Sequence, residues 1–141
     1  MKDGVAEVIM KASKIKSEKD RMVFLQNSTK TCEPLLTVFN LLFNKDISFD
    51  LPEGDPPYTP LPKESDMQNY LYSEFRKIRY FIKGQEKGLT HHKRETLFIE
   101  FLESMDPDDA KLLLAIKDKK SPYKGITKNL IKKTFRAAKD W

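Results

Sequence analysis

Apolar positions recur at three- and four-residue intervals through most of the chain, the period of a helix with one buried side. Val5, Val8, Ile9, Ala12 and Ile15 predict a first helix over 5–15. Ser17 reads as the N-cap of a second, with Asp20 at the capping-box position and Met22 and Leu25 facing inward. Pro34 suits the first position of a third helix, because its missing N–H has no partner to lose there. Leu35, Leu36, Val38, Phe39, Leu41, Leu42 and Phe43 make that helix apolar almost all round, so it is expected at the centre of the core.

The pattern then breaks. Residues 46–63 hold Pro52, Pro56, Pro57, Pro60, Pro62 and Gly54, which excludes an interior helix or a central strand. An extended connection hugging the surface is expected, pinned by Ile47, Phe49, Leu51, Tyr58 and Leu61. The alternation of Ile47, Phe49 and Leu51 is also compatible with a short strand.

Helical spacing resumes over 67–83, where Met67, Tyr70, Leu71, Phe75, Ile78, Phe81 and Ile82 form a stripe. A further helix is predicted over 90–105, with Leu97, Phe98, Phe101, Leu102 and Met105 inward. Asp106-Pro107-Asp108-Asp109 combines an N-cap, a first-turn proline and acids that favour the positive end of the helix dipole. Thr127 is placed to cap a last helix, with Ile126 and Ile131 as a hydrophobic staple and Leu130, Phe135 and Ala138 inward. The sum is an all-α, compact bundle of about seven helices with one Pro-rich irregular insertion. The 141 residues are read as one domain, 1–141, without internal repeats.

Composition narrows the functional classes. Charged residues make up 33% of the chain and hydrophobic ones 39%, too apolar for a fully disordered protein. The longest apolar stretch, 35–43, falls well short of the roughly twenty residues of a membrane helix, so no membrane partner is expected. One cysteine, Cys32, excludes an internal disulfide framework and a Cys-rich zinc site. With no export signal at the start, a reducing, intracellular setting is expected. His91 and His92 point about 100° apart on a helix and lack a third ligand, so no metal or other cofactor is expected. Glu100 and Glu103 read as acids spaced for solubility, and no nucleophile, paired-acid or Gly-rich phosphate motif stands out. No catalytic residue is therefore assigned, and the protein is read as not an enzyme.

Charge distribution says more than the net value of +5. Between 117 and 139 lie Lys117, Lys119, Lys120, Lys124, Lys128, Lys132, Lys133, Arg136 and Lys139, against Asp118 as the one acid. A middle segment, 44–66, is acidic instead. Lys124, Lys128, Lys132, Arg136 and Lys139 recur every three to four residues and would line one face of the last helix. Lys120 adds charge ahead of it, and Lys124-Gly125-Ile126-Thr127 sets a small residue and free amides beside a helix start, where a phosphate is favoured. Arg76 and Arg79, interleaved with Tyr72 and Tyr80, form a second group able to grip a nucleic-acid backbone. The same residues also fit a solvated lysine-rich face and tyrosines packed on the Pro-rich segment.

Several segments together resemble a known family. They are Ile99-Glu100-Phe101-Leu102-Glu103, the 106–110 helix start, Leu112-Leu113-Leu114, the stretch from Tyr123 to Ile131, and Phe135. They look like the N-terminal helical DNA-binding domain of ATP-dependent DNA ligases. Ile15-Lys16-Ser17 and the 35–43 helix are similar to the opening helices of phage ligases. The whole chain also looks like a small uncharacterised family carried by large tailed phages, including cyanophages. The resemblance implies an all-helical fold seated on a minor groove, with Lys124, Gly125, Thr127 and Lys128 at the phosphates. The Pro-rich segment has no counterpart there, and the adenylation domain with its lysine is absent, so ligation is not implied.

The leading expectation is a phage-encoded protein that holds duplex DNA through phosphates in the host cytoplasm. The alternative is an interaction module for a host or phage replication or transcription protein, docking through Pro56-Pro57-Tyr58-Thr59-Pro60. An accessory virion part is a third reading.

Overall fold

The computed structural model describes residues 4–61, 75–85 and 88–141. Within them the chain forms α1 (Val5–Ser13), α2 (Glu18–Ser28), α3 (Pro34–Phe43), α4 (His91–Glu103), α5 (Pro107–Asp118) and α6 (Lys128–Thr134). Two 3-10 helices, Phe75–Phe81 and Arg136–Ala138, complete the set. The protein is an all-α bundle of about seven helices, as the hydrophobic period predicts.

Capping chemistry fixes the ends. The Ser17 hydroxyl accepts from the Asp20 amide, that of Thr90 from Lys93, and that of Thr127 from Leu130. The Asp106 carboxylate accepts from the amides of both Asp108 and Asp109. Such caps contribute about 1 kcal/mol each by giving orphan amides a partner. The first turn of α1 has no cap of its own; the buried Asp109 carboxylate of α5 accepts from the Ala6 amide instead. That bond seats the start of α1 on the start of α5.

The hub of the bundle is α5, which packs against α1, α3 and α4. Its Leu112, Leu113 and Ile116 are wholly enclosed. α3 is as apolar as expected, with Leu35, Val38 and Phe39 enclosed, but it flanks α5 and Thr37 faces solvent. α6 lies chiefly against α2. The staple residues Ile126 and Ile131 are both buried.

Two expectations need correction. First, the basic last helix is interrupted. Phe135 is extended (φ −123°, ψ 124°), its ring lies 6.2 Å from that of Phe39, and a 3-10 turn follows. Docking the Phe135 ring on α3 breaks the helix, so Arg136 does not continue the face of Lys128 and Lys132. Second, Phe75–Phe81 is a 3-10 helix; the rest of the helix expected over 67–83, Tyr72 included, lies outside the described residues. Three residues per turn align Ile78 with Phe81, both buried, and Arg76 with Arg79, both exposed. The short strand with which the alternation of Ile47, Phe49 and Leu51 is compatible does not form among the described residues. An isolated antiparallel bridge joins Phe49 to Ile82.

The Pro-rich segment is non-helical through residue 61 and lies on the surface, with Ile47, Phe49, Leu51 and Tyr58 packed against the core. Asp50, with its amide on the Phe81 carbonyl, also pairs with Arg94 at 3.1 Å. Arg94 is buried, and its Nε donates to the Tyr80 carbonyl at 3.0 Å. One guanidinium thus ties the Pro-rich segment and the 3-10 helix to α4.

Candidate nucleic-acid interface

The basic segment divides sharply once its side chains are placed. Lys117 turns inward: its side chain is 2% exposed, and Nζ donates to the Pro52 and Gly54 carbonyls at 2.8 Å each. Asp118 supplies the counter-charge and accepts from the Gly54 amide. Lys119 ends α5 in the left-handed conformation (φ 58°), an unusual backbone for a residue with a Cβ. Its Nζ donates to the carbonyls of Leu41, Asn44 and Ile47 at 2.8, 2.6 and 2.7 Å. These oxygens lie at and beyond the end of α3, so the ammonium closes a helix terminus that needs donors. Burial, and then the charge of Lys128, push Lys119 below the usual lysine pKa. Lys120 is exposed and pairs with Glu53 at 3.3 Å, and Lys133 pairs with Glu18 at 3.2 Å.

Four of the nine bases therefore serve internal contacts or ion pairs. Lys124, Lys128, Lys132, Arg136 and Lys139 form no ion pair among the described residues. Lys124, Lys132, Arg136 and Lys139 are exposed, and Lys128 is half-buried. Lys128 and Lys132 share one side of α6 at four-residue spacing. Lys124 sits in the turn just before α6, and Arg136 lies past the Phe135 break.

The Gly125 turn has a specific reason for its glycine. Its φ is +80°, and a Cβ there would meet the Arg21 guanidinium carbon at 3.0 Å. Arg21 reaches from α2 and donates to the Ile15 carbonyl at 2.6 Å and to the Gly125 carbonyl at 3.4 Å. Ser13 adds a bond to the Lys124 carbonyl at 2.6 Å. The turn between α1 and α2 is thereby held to the turn before α6. Lys16, exposed, follows Ile15 in the tied turn, as Lys124 precedes Gly125 in the other. Sequence reasoning missed Lys16 and Arg21 because more than a hundred residues separate them from Gly125; no local spacing announces the contact.

Acidic groups bound this surface. Glu7, Asp106, Asp108 and Asp109 line a hollow with Lys11 and Lys14. Burial, followed by the charges of Asp108 and Asp109, raises the Tyr123 phenol to about 12.

Arg76 and Arg79 are exposed on the 3-10 helix, which packs on α4, whereas α6 packs chiefly on α2; Arg79 lies over the Tyr80 ring at 5.4 Å. The two basic groups are thus carried by different parts of the bundle. The proposed docking strip is held by its own backbone: Thr59 donates its amide to Glu103, and burial, then Asp55, raises the Tyr58 pKa. His91 is exposed, with Nδ1 3.9 Å from Asp50. No group of three or more His, Cys, Asp or Glu able to hold a metal occurs among the described residues, and no described helix is long and apolar enough to cross a membrane.

A family model described as a family of unknown function, DUF6433, matches residues 8–122. The chain belongs to this family. The DUF6433 match runs from α1 to the loop after α5 and ends before Lys124, so the exposed lysines of α6 lie beyond it. It speaks to neither a ligase domain nor a phage source. A 59-residue stretch is 42% identical to opticin of Canis lupus familiaris, covering 42% of this chain and 17% of opticin. The chain thus spans under one-fifth of that relative's length. No solved structure matches the chain.

Proposed function

We propose that this DUF6433 protein is a non-enzymatic DNA-binding protein that holds duplex DNA through its phosphates. The observation that carries the reading is the set of Lys124, Lys128 and Lys132. These cations remain without an ion pair among the described residues, while their neighbours Lys117, Lys119, Lys120 and Lys133 are engaged. Unpaired cations at the surface of a helix and its leading turn are suited to releasing counterions from a duplex. The resemblance of the 99–135 segments to the ligase DNA-binding domain points the same way, and the likeness of the whole chain to a tailed-phage family suggests a phage protein acting in the host cytoplasm. Gly125 contributes by letting the turn form against Arg21, and Thr127 by capping α6; Arg136 extends the surface beyond the Phe135 break.

Contacts of this kind give little sequence preference and affinities on the order of 10⁻⁴ to 10⁻⁶ M at physiological salt. The reading is tested by titrating the protein onto unrelated duplexes at several salt concentrations. Binding that weakens linearly in log salt, alike for all sequences, supports it; absence of binding at about 50 mM salt refutes it.

A further inference from the structure

We infer that the phosphate-contacting surface is assembled from two turns remote in sequence, and that Lys16 of the α1–α2 turn is one of its contacts. The inference rests on the DNA-binding reading and names a residue which that reading does not require. Arg21 is the staple between the turns, with one nitrogen on the Ile15 carbonyl and another on the Gly125 carbonyl. Its Nε is buried without a hydrogen-bond partner among the described residues, so the guanidinium is positioned inside the junction and is not offered to a ligand. The Ser13 hydroxyl fastens the Lys124 carbonyl from the other side. With both backbones tied, Lys16 and Lys124 flank one seam. Each is exposed and forms no ion pair among the described residues.

The seam has a direction. Toward α1 lies the hollow in which Glu7, Asp106, Asp108 and Asp109 outnumber Lys11 and Lys14, a less favourable surface for a polyanion than α6. Toward α6 lie Lys128 and Lys132. A duplex backbone therefore runs from Lys16 past Lys124 along α6, and phosphates spaced along a strand meet cations from both turns. The partner chemistry is a continuous phosphodiester; a single small phosphate would engage only part of the set.

The test measures duplex binding by fluorescence anisotropy between about 50 and 200 mM salt, where phosphate contacts change most. Lys16→Ala is compared with wild type, Lys124→Ala, the Lys16/Lys124 double variant, and Lys93→Ala on α4 as a control. Each true contact removed makes the log–log slope shallower by about 0.9. Lys16→Ala and Lys124→Ala are expected to do so singly and to add in the double variant, with Lys93→Ala unchanged and all melting curves alike. A Lys16→Ala slope equal to wild type, alongside a shallower slope for a Lys128→Ala, Lys132→Ala variant, overturns this inference and leaves the DNA-binding reading standing. Failure of wild type to bind overturns both.

Discussion

Lys117 and Lys119 lie within a few residues of Lys124 and Lys128, and the two pairs are used in opposite ways. The first pair points into the molecule and donates to five backbone carbonyls. The second pair stands in or beside solvent with no ion pair among the described residues. The difference arises from what each lysine finds within reach. At the end of α5 the chain passes the end of α3 and the Pro-rich segment, both rich in carbonyls lacking donors. At α6 the neighbour is α2, whose first turn already satisfies itself through Ser17 and pairs Glu18 with Lys133. A run of lysines is therefore not a surface charge until the carbonyls around it have been satisfied.

The comparison is broken most forcefully from the inward pair. Lys117→Met keeps the length of the side chain but removes the cation between Pro52, Gly54 and Asp118. Leaving Asp118 without its partner is expected to cost about 3 kcal/mol. Lys119→Ala strands three carbonyls and should cost about 2 kcal/mol. Urea melts of both variants check this, and midpoints equal to wild type would show that these lysines are surface charges after all.

A smaller effect is expected where α6 begins. Thr127→Ala removes the acceptor for the Leu130 amide and should cost about 1 kcal/mol. Superimposable thermal melts would remove the cap from the account.

The smallest effect at neutral pH concerns Tyr123, between the two lysine pairs. Its folded pKa of about 12 lies above the ordinary 10.0, so the folded state favours the protonated phenol. Its contribution to stability is intact below pH 10 and is lost as pH rises toward 12. Across that window the stability difference between wild type and Tyr123→Phe should shift in favour of the phenylalanine variant. A difference constant with pH would contradict the assignment.

Legibility from sequence followed the range of the interaction. Caps at Ser17, Asp106 and Thr127 act over two or three residues, so the residue types alone located those helix starts, whereas Thr90, read as the first residue of its helix, is its cap. The buried stripe of α1 and the nearly all-round apolar character of α3 were equally plain. The break at Phe135 was not, because it is imposed by Phe39, almost a hundred residues away. Nor was the 3-10 geometry of Phe75–Phe81, since Ile78 and Phe81 also satisfy an α-helical stripe. Of the candidate interface, Lys124, Lys128 and Lys132 could be read from spacing. The roles of Lys117 and Lys119 as internal donors, and the seam around Arg21, depend on contacts more than sixty residues apart.

The central claim is that the outward lysines, and not the inward ones, hold phosphates. It is tested most directly by the salt dependence of duplex binding in wild type and a Lys128→Ala, Lys132→Ala variant. The account predicts a log–log slope shallower by about two in the variant, equally on every duplex sequence, with an unchanged melting temperature. Wild-type protein that fails to bind duplex DNA at about 50 mM salt would contradict it and make the basic face a solubility surface, leaving the interaction-module reading in front.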